Sequence, residues 1–594
     1  MKRFTSIGLS ILVLAGVMIG GTVWLQMFTA SVQAYQSPLH DTNLTSLPSS
    51  AVRHNKVVIV LISGLGYDTA LDLELPVLEQ LKQVGVFAAV ESSPPTFSQT
   101  AWATLLSGAS PETNDAPPID IPRENLRLLQ VDTLFARAHA AQLKTALLGS
   151  AEWRRLIPRN QLDYAFFANE SGPEGERDIV EAALSLIADE NIELMLIHFD
   201  QLNLAGRLQG GPNSPAYQAV AIQIDAYLGQ IRNALDLNQT TLVVVSDHGQ
   251  IGSGGFGGAE PDVIWQPLVM VGGNTVSGSY SDIHQTDIAP TLAALMGIPS
   301  PGAAQGRILY EMLQLDKEEQ AAAQILLAQQ RVALAQAYAR QIQGEEVNLP
   351  NSMGEGLLQA QTAFDRQNLG GAFELALLTQ QVADEHMAAV RYGGIWSARW
   401  PRLIFAGFVL VFGLVILWRR RGPHAGSVLV AAAATIILYH ALYQLQGNSY
   451  SVSSLHALGF AELVIETSRR VAVSLLAGGG LMLIFFMLTD EKNWLTLLGT
   501  GYGFCVLVTF AFVALFFWGY WQNGWQVTWH LPDIEAVFWQ ITGALEAVSA
   551  AALGLVLPWP IMGLSLLVNL TRQRLSQAQT RGTSGSNSLP GLRL

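Results

Sequence analysis

An α/β fold, with a mainly parallel sheet sandwiched by helices, is predicted for the middle of this chain, joined to a helical stalk and a multi-span α-helical membrane bundle. Three observations lead there. Continuous β-branched runs recur at Lys56–Ile62 (KVVIVLI), Leu194–Phe199 (LMLIHF), 241–245 (TLVVV) and 267–271, with helical periodicity between them. Strands apolar at every position are buried on both faces, which puts helices on each side of a parallel sheet. The apolar excess is also uneven: 1–28 and the region after Trp400 carry long uncharged runs, whereas 35–399 has globular composition. Finally, from about Glu311 to Met387 the sequence turns to Ala, Gln, Leu and Glu in helical spacing, broken by Asn348-Leu349-Pro350 and Gly370-Gly371.

These boundaries give a plan of 1–34 as N-terminal signal anchor, 35–55 as polar linker and 56–310 as an exported α/β domain. A stalk follows at 311–400, then a membrane bundle of about five helices at 401–571 and a basic tail at 572–594. Lys2 and Arg3 precede an apolar stretch, 7–28, of roughly the 20 residues that span a bilayer, as in an anchor with its N-terminus inside. A cleaved signal peptide ending at Val32-Gln33-Ala34 is the rival reading, and either one exports the domain that follows. Five further spans are expected at 403–418, 427–445, 471–488, 494–518 and about 547–570. Arg419-Arg420-Arg421 and the tail arginines Arg572, Arg574, Arg581 and Arg593 fit a cytoplasmic side, whereas Arg469 and Arg470 fall on the wrong one. Trp518, Trp521, Trp525 and Trp529 form an expected interfacial belt. No buried charge pair is apparent in the spans, and Glu546 is the one acid of note. The protein is therefore expected in the plasma membrane as a multi-pass chain with its domain on the extracytoplasmic side.

Of the 594 residues, 13% are charged and the net charge is −14. No basic stripe exists that would displace counterions from nucleic-acid phosphates, which argues against nucleic acid as a partner. Cys505 is the only cysteine and lies in an apolar run, so the exported domain must fold without disulfides.

In a parallel sheet, ligands bind beyond the C-terminal strand ends. There the sequence places Ser63-Gly64, the segment from His198 to Arg207, and Ser246-Asp247-His248-Gly249. An adjacent acid and imidazole at a strand end can grip one metal. Two segments strengthen that reading: the Gly-rich run 252–258 and the stretch from His284 to Leu292. Ser98, after Pro94-Pro95-Thr96-Phe97, falls where a short helix begins. Unpaired backbone N–H groups there and the positive helix end suit a phosphate or sulfate, although a serine at a helix start is most often only an N-cap.

The order of these motifs resembles the alkaline phosphatase superfamily, in the branch of type I phosphodiesterases, nucleotide pyrophosphatases and GPI ethanolamine phosphate transferases. The likeness covers about 56–301 and includes the Thr286-Asp287-Ile288-Ala289-Pro290-Thr291-Leu292 helix. The resemblance implies two metal ions, usually zinc, that clamp a phosphate while a Ser or Thr attacks phosphorus. Ser98 matches that nucleophile, and Asp247 and His248 match ligands of one ion. The third ligand position reads Ser63, and the positions implied for the second ion read Asn203, Arg207 and Phe256. His284 is a substitute to consider, and Asp200 a ligand shifted by one turn. A guanidinium about 4 Å from a divalent ion is repelled by roughly 8 kcal/mol at an effective dielectric near 20. Arg207 therefore excludes an ion and suits bidentate phosphate binding instead, or else merely pairs with an acid such as Asp200. Two functional classes follow. One is a protein degenerate in two-metal catalysis that keeps a phosphate-ester or lipid-headgroup site or a scaffold role. The other is an active phosphodiesterase or phosphoethanolamine-type transferase with Ser98 and Arg207 as catalytic groups. The cofactor is zinc or another divalent metal, or none. The membrane is the expected surround, and no protein partner can be read.

Overall fold

A computed structural model describes residues 2–42, 44, 56–168, 172–189, 191–344, 350–419, 424–489 and 491–584. Most of the linker, Arg420 and Arg421, and the end of the tail with Arg593 lie outside the described residues.

Among the described residues eight strands form one sheet: β1 (Lys56–Ile62), β2 (Val86–Glu91), β3 (Thr145–Gly149), β4 (Tyr164–Phe167), β5 (Leu194–Phe199), β6 (Thr240–Val245), β7 (Trp265–Val271) and β8 (Gly278–His284). Their order is β4-β3-β5-β1-β6-β7-β2-β8. The sheet is mixed rather than uniformly parallel, because β7 runs antiparallel to both β6 and β2. Central β1 shows why its composition is apolar throughout. Val57, Ile59 and Leu61 enter the core on one face, and Val58, Val60 and Ile62 the core on the other. Each fully buried aliphatic side chain contributes about 1.5–3 kcal/mol. β1 lies between β5 and β6, in register from Val57–Leu194 to Ile62–Phe199 on one side and from Lys56–Thr240 to Leu61–Val245 on the other. The C-terminal ends of all three strands thus meet at one edge.

The stalk comprises helices at Lys317–Gln343, Asn351–Asp365 and Leu369–Arg419. Asp316 and Glu319 form a reciprocal capping box at the first of these. Fully buried Arg331 bonds Asp384 and the Gly306 carbonyl, and Glu112 of the α/β domain takes Tyr338 and Arg391 of the stalk at 2.8–3.0 Å. The third helix shows no break at residue 400; it continues into the first span of the bundle.

Six described helices are long and apolar enough to cross a membrane. The last expected span, 547–570, is instead part of a longer bent helix. Ile534–Val556 continues through Leu557, in helical conformation, into Pro558–Ser584. Pro558 and Pro560 remove two backbone donors, which bends the helix without ending it. The bundle interior also corrects the charge reading, because Arg470 and Glu546 are each only 3% exposed.

Candidate active site

The strand ends bring Ser63, Gly64, Ser98, Asn203, Asp247 and His248 together. Asp247, at the end of β6, is fully buried and accepts four hydrogen bonds. Ser63 Oγ (2.6 Å) and Trp102 Nε1 (2.7 Å) donate to Oδ2, and the Gly64 (3.0 Å) and His248 (2.8 Å) amides donate to Oδ1. The acceptor capacity of the carboxylate is thereby filled. Gly64 adopts φ +84°, and a Cβ there would meet the Asn203 backbone at 2.8 Å, so only glycine lets β1 turn this closely.

Ser98 is the first residue of the helix Ser98–Ser107, with Phe97 as its N-cap. Its Oγ lies 2.9 Å from His248 Nε2, and His248 Nδ1 lies 2.9 Å from the Gly249 carbonyl. A carbonyl only accepts, so Nδ1 carries the proton and Nε2 takes the Ser98 hydroxyl proton bond. This is a serine–imidazole pair with the imidazole oriented from behind, the geometry of an activated nucleophile. Asn203, on the helix Gln201–Gln209, points Nδ2 at Ser98 Oγ (3.5 Å) and at Asp200 Oδ1 (3.3 Å), while its Oδ1 accepts from Gln250 (2.9 Å).

Charges line the surround. Burial pushes the Asp200 carboxyl up to about 7, against the Asn203 hydrogen bond and the Arg207 charge. Burial likewise raises Asp120 to about 6, against His248 and Arg207. Arg207 thus acts on both carboxyls through space, and among the described residues no ion pair joins it to Asp200. Phe256, fully buried, stacks on His248 with ring centroids 3.9 Å apart. His284 stands apart at the end of β8, half-exposed, with Nδ1 3.6 Å from Glu91, whereas Asp247 and His248 are buried.

Several participants carry little or no signal in the sequence. Trp102, one turn after Ser98, carries only that spacing as a signal. Asp120 and His456 had none. His456 belongs to a short helix, Val452–Leu458, between two bundle helices, yet its ring lies 4.2 Å from Phe256 and its Nε2 3.8 Å from Asp120. Burial first, then Arg207 and His248, lower it to about 3, so it faces Asp120 as a neutral imidazole. The same helix seats on the Gly-rich run. Gly258 N donates to Ser453 Oγ (3.0 Å), which donates to Glu260 (2.9 Å). A Cβ on Gly255 would come within 2.0 Å of the Ser453 carbonyl. The glycines that suggested a metal loop are thus a contact surface for the bundle.

Residues 149–253 match the family described as type I phosphodiesterase / nucleotide pyrophosphatase. The chain is 26% identical over 296 residues to human GPI ethanolamine phosphate transferase 2, catalytic subunit, an alignment covering 46% of this chain and 29% of that protein. It is 24% identical over 351 residues to human GPI ethanolamine phosphate transferase 3, catalytic subunit, covering 54% and 31%. These matches support an assignment to the alkaline phosphatase superfamily. The chain's matches span less than a third of the length of these two relatives. Among solved structures, murine ectonucleotide pyrophosphatase / phosphodiesterase 5 is 13% identical with a TM-score of 0.35, covering 41% of this chain and 96% of that one.

Superfamily relatives typically use divalent metals such as zinc, but the residues present here do not fit a two-metal cluster. Asp247 has its acceptor sites filled, His248 is engaged at both nitrogens, Asn203 is held by Gln250, and Phe256 offers no donor atom. Among the described residues no three His, Cys, Asp or Glu side chains converge as ligands.

Proposed function

We propose that this is a membrane-anchored superfamily protein whose site has given up two-metal chemistry and binds a phosphate-ester headgroup presented at the bilayer. The observation that carries the reading is the filled Asp247 carboxylate: Ser63 and Trp102 donate where a metal would need lone pairs. Binding would use the Arg207 guanidinium and the start of the Ser98 helix, where the ligand would displace the Asp120 carboxylate from its long 3.4 Å bond to the Gln99 amide. The contact between His456 and the domain supports a ligand that arrives from the membrane, since the bundle itself forms one wall of the site. In this reading the domain lies on the extracytoplasmic side of the plasma membrane, which Lys2 and Arg3 ahead of the first apolar helix support. Elemental analysis of the purified chain should find less than one zinc per molecule, with no turnover of nitrophenyl phosphate esters. Zinc-dependent turnover that disappears in Ser98→Ala refutes the reading.

A second reading is favoured by one distance, the 2.9 Å between Ser98 Oγ and His248 Nε2. Here the site remains a phosphodiesterase or phosphoethanolamine-type transferase. Ser98 Oγ attacks phosphorus, its proton passes to His248 Nε2, the leaving alkoxide takes a proton back, and Arg207 stabilises the equatorial oxygens. A fluorophosphonate should then label Ser98, and His248→Ala should slow labelling by about 100-fold or more. Equal labelling in both proteins excludes this version.

A further inference from the structure

The Ser98 site is closed in this structure: Ser98 is 4% and Asn203 8% exposed, and Asp247 and His248 are fully buried. Part of the cover comes from the bundle, in the seven-residue helix Val452–Leu458 between Ala425–Leu445 and Phe460–Thr489. Ser451 caps its start by accepting from the Ser453 amide (3.2 Å), and Gly459 ends it at φ +70°. A helix well short of about 12 residues does not stand alone in water. It is ordered by what it packs on: Val452 and Leu455 are buried in an apolar cluster that joins Phe97, Phe256 and Val263 of the α/β domain to Tyr443 and Phe538 of the bundle. Docking and folding of this segment are therefore coupled.

His456 carries the contact to the start of the Ser98 helix. Its ring centroid lies 5.3 Å from that of Phe97, the N-cap, and its Nε2 faces Asp120 Oδ2 at 3.8 Å. Asp120 Oδ1 in turn accepts from the Gln99 amide at 3.4 Å. That amide lies in the first turn, where an N–H has no carbonyl one turn back to bond and so suits an anion. Arg207 and His248 also attract the Asp120 carboxylate. Asp120 thus stands among the groups that an incoming phosphate would use, braced there from the bundle. The brace has little margin. A 3.4 Å separation is weak beside the usual value of about 2.9–3.0 Å, and His456 Nδ1 is buried with no partner. A short docked helix with these features opens locally at far less cost than a core strand.

We propose that the Val452–Leu458 helix is an autoinhibitory latch, which when docked covers Ser98 and holds the Asp120 carboxylate in the place of an anionic ligand. Lifted, it releases Asp120 from Gln99 and opens the site. The latch is continuous with Ala425–Leu445 and Phe460–Thr489, so a shift of those two helices within the bilayer is what lifts it. The role of Asp120 as a stand-in rests on the reading that the Ser98 site takes a phosphate group.

The test uses the full-length chain in detergent and two readouts. The first is access: Ser98→Cys is treated with iodoacetamide, and buried Cys505 serves as an internal reporter of unfolding. Alkylation at position 98 should be slow and should rise at least tenfold when His456→Ala is added, with the Cys505 rate unchanged. Fast alkylation with the latch intact, or no acceleration by His456→Ala, overturns the proposal. The second readout is binding of inorganic phosphate by calorimetry. Asp120→Asn removes the charge and keeps the shape, whereas His456→Ala keeps the charge and removes the brace; each should tighten phosphate at least tenfold over wild type. Tightening by Asp120→Asn alone means simple repulsion and refutes the latch. Accelerated alkylation with no phosphate binding in any of the three proteins refutes the phosphate reading and leaves a latch over a site for another ligand. Amide exchange of wild type needs no variant to fold: residues 452–458 and 97–101 should exchange together and well ahead of β1. Protection of 452–458 equal to that of β1 overturns the proposal.

Discussion

Restoring one carboxylate tests the site most directly. Ser63 Oγ lies 2.6 Å from Asp247 Oδ2, both residues being fully buried. Ser63→Asp puts a second carboxylate beside the first and removes a hydrogen-bond donor from Asp247. Two ionised carboxylates about 4 Å apart repel by about 4 kcal/mol at an effective dielectric near 20. That is a large part of the 5–15 kcal/mol by which a typical domain is stable, so one carboxyl must protonate or the domain melts earlier. Zinc reverses the sign, because the introduced carboxylate, Asp247 and His248 then supply three ligands. Zinc at 100 times its dissociation constant returns about 2.7 kcal/mol. Thermal unfolding of the full chain with chelator and with zinc measures both effects. Wild type should be indifferent to zinc, whereas Ser63→Asp should melt lower in chelator and recover with the metal. The reasoning fails if wild type gains as much from zinc as the variant, since Asp247 would then have ligand capacity to spare.

Other outcomes follow from the same geometry. Trp102→Phe keeps the ring but removes a 2.7 Å donor to Asp247, and should cost about 1–3 kcal/mol by denaturant or thermal unfolding. Gly255→Val drives a side chain into the Ser453 carbonyl and should unseat the Val452–Leu458 helix, seen as faster amide exchange around residues 252–258 and 452–458 while β1 and β5 stay protected. Glu176 offers a pH test: burial pushes its carboxyl from an ordinary 4.5 up to about 8, although Oε1 accepts the Gln201 amide and Oε2 has no partner. An acid raised in the folded state binds more protons folded than unfolded, so its contribution is greatest below about 4.5 and is lost as pH climbs through 8. Relative to wild type, Glu176→Gln should therefore gain melting temperature progressively as pH rises from about 4.5 to 8, with the difference between the two proteins levelling off above 8; parallel melting curves for the two proteins between pH 4.5 and 8 would contradict the assignment.

The parts of the molecule legible in sequence are those governed by local rules. Unbroken apolar runs mark β1, β5 and β6, because a strand covered on both faces has no polar side to display. The long uncharged stretches mark membrane spans, because a bilayer has one thickness. Strand direction was not legible: β7 reads like its neighbours yet runs antiparallel, since apolar composition records burial and not polarity. The residues Ser63, Ser98, Asn203, Asp247 and His248 were picked out by motif order, but their wiring was not. Nothing local says that Ser63 and Trp102 together fill Asp247, or that His248 turns Nε2 toward Ser98.

Sequence by itself determined the fold class, an α/β sheet with flanking helices followed by a helical region rich in long apolar helices. Only the tertiary structure decided that the bundle enters the site through His456, roughly 200 residues beyond His248. The physical reason is range. Periodicity and composition report a residue's immediate environment, whereas hydrogen bonds and unpaired charges depend on which distant side chain the packing brings within a few ångströms.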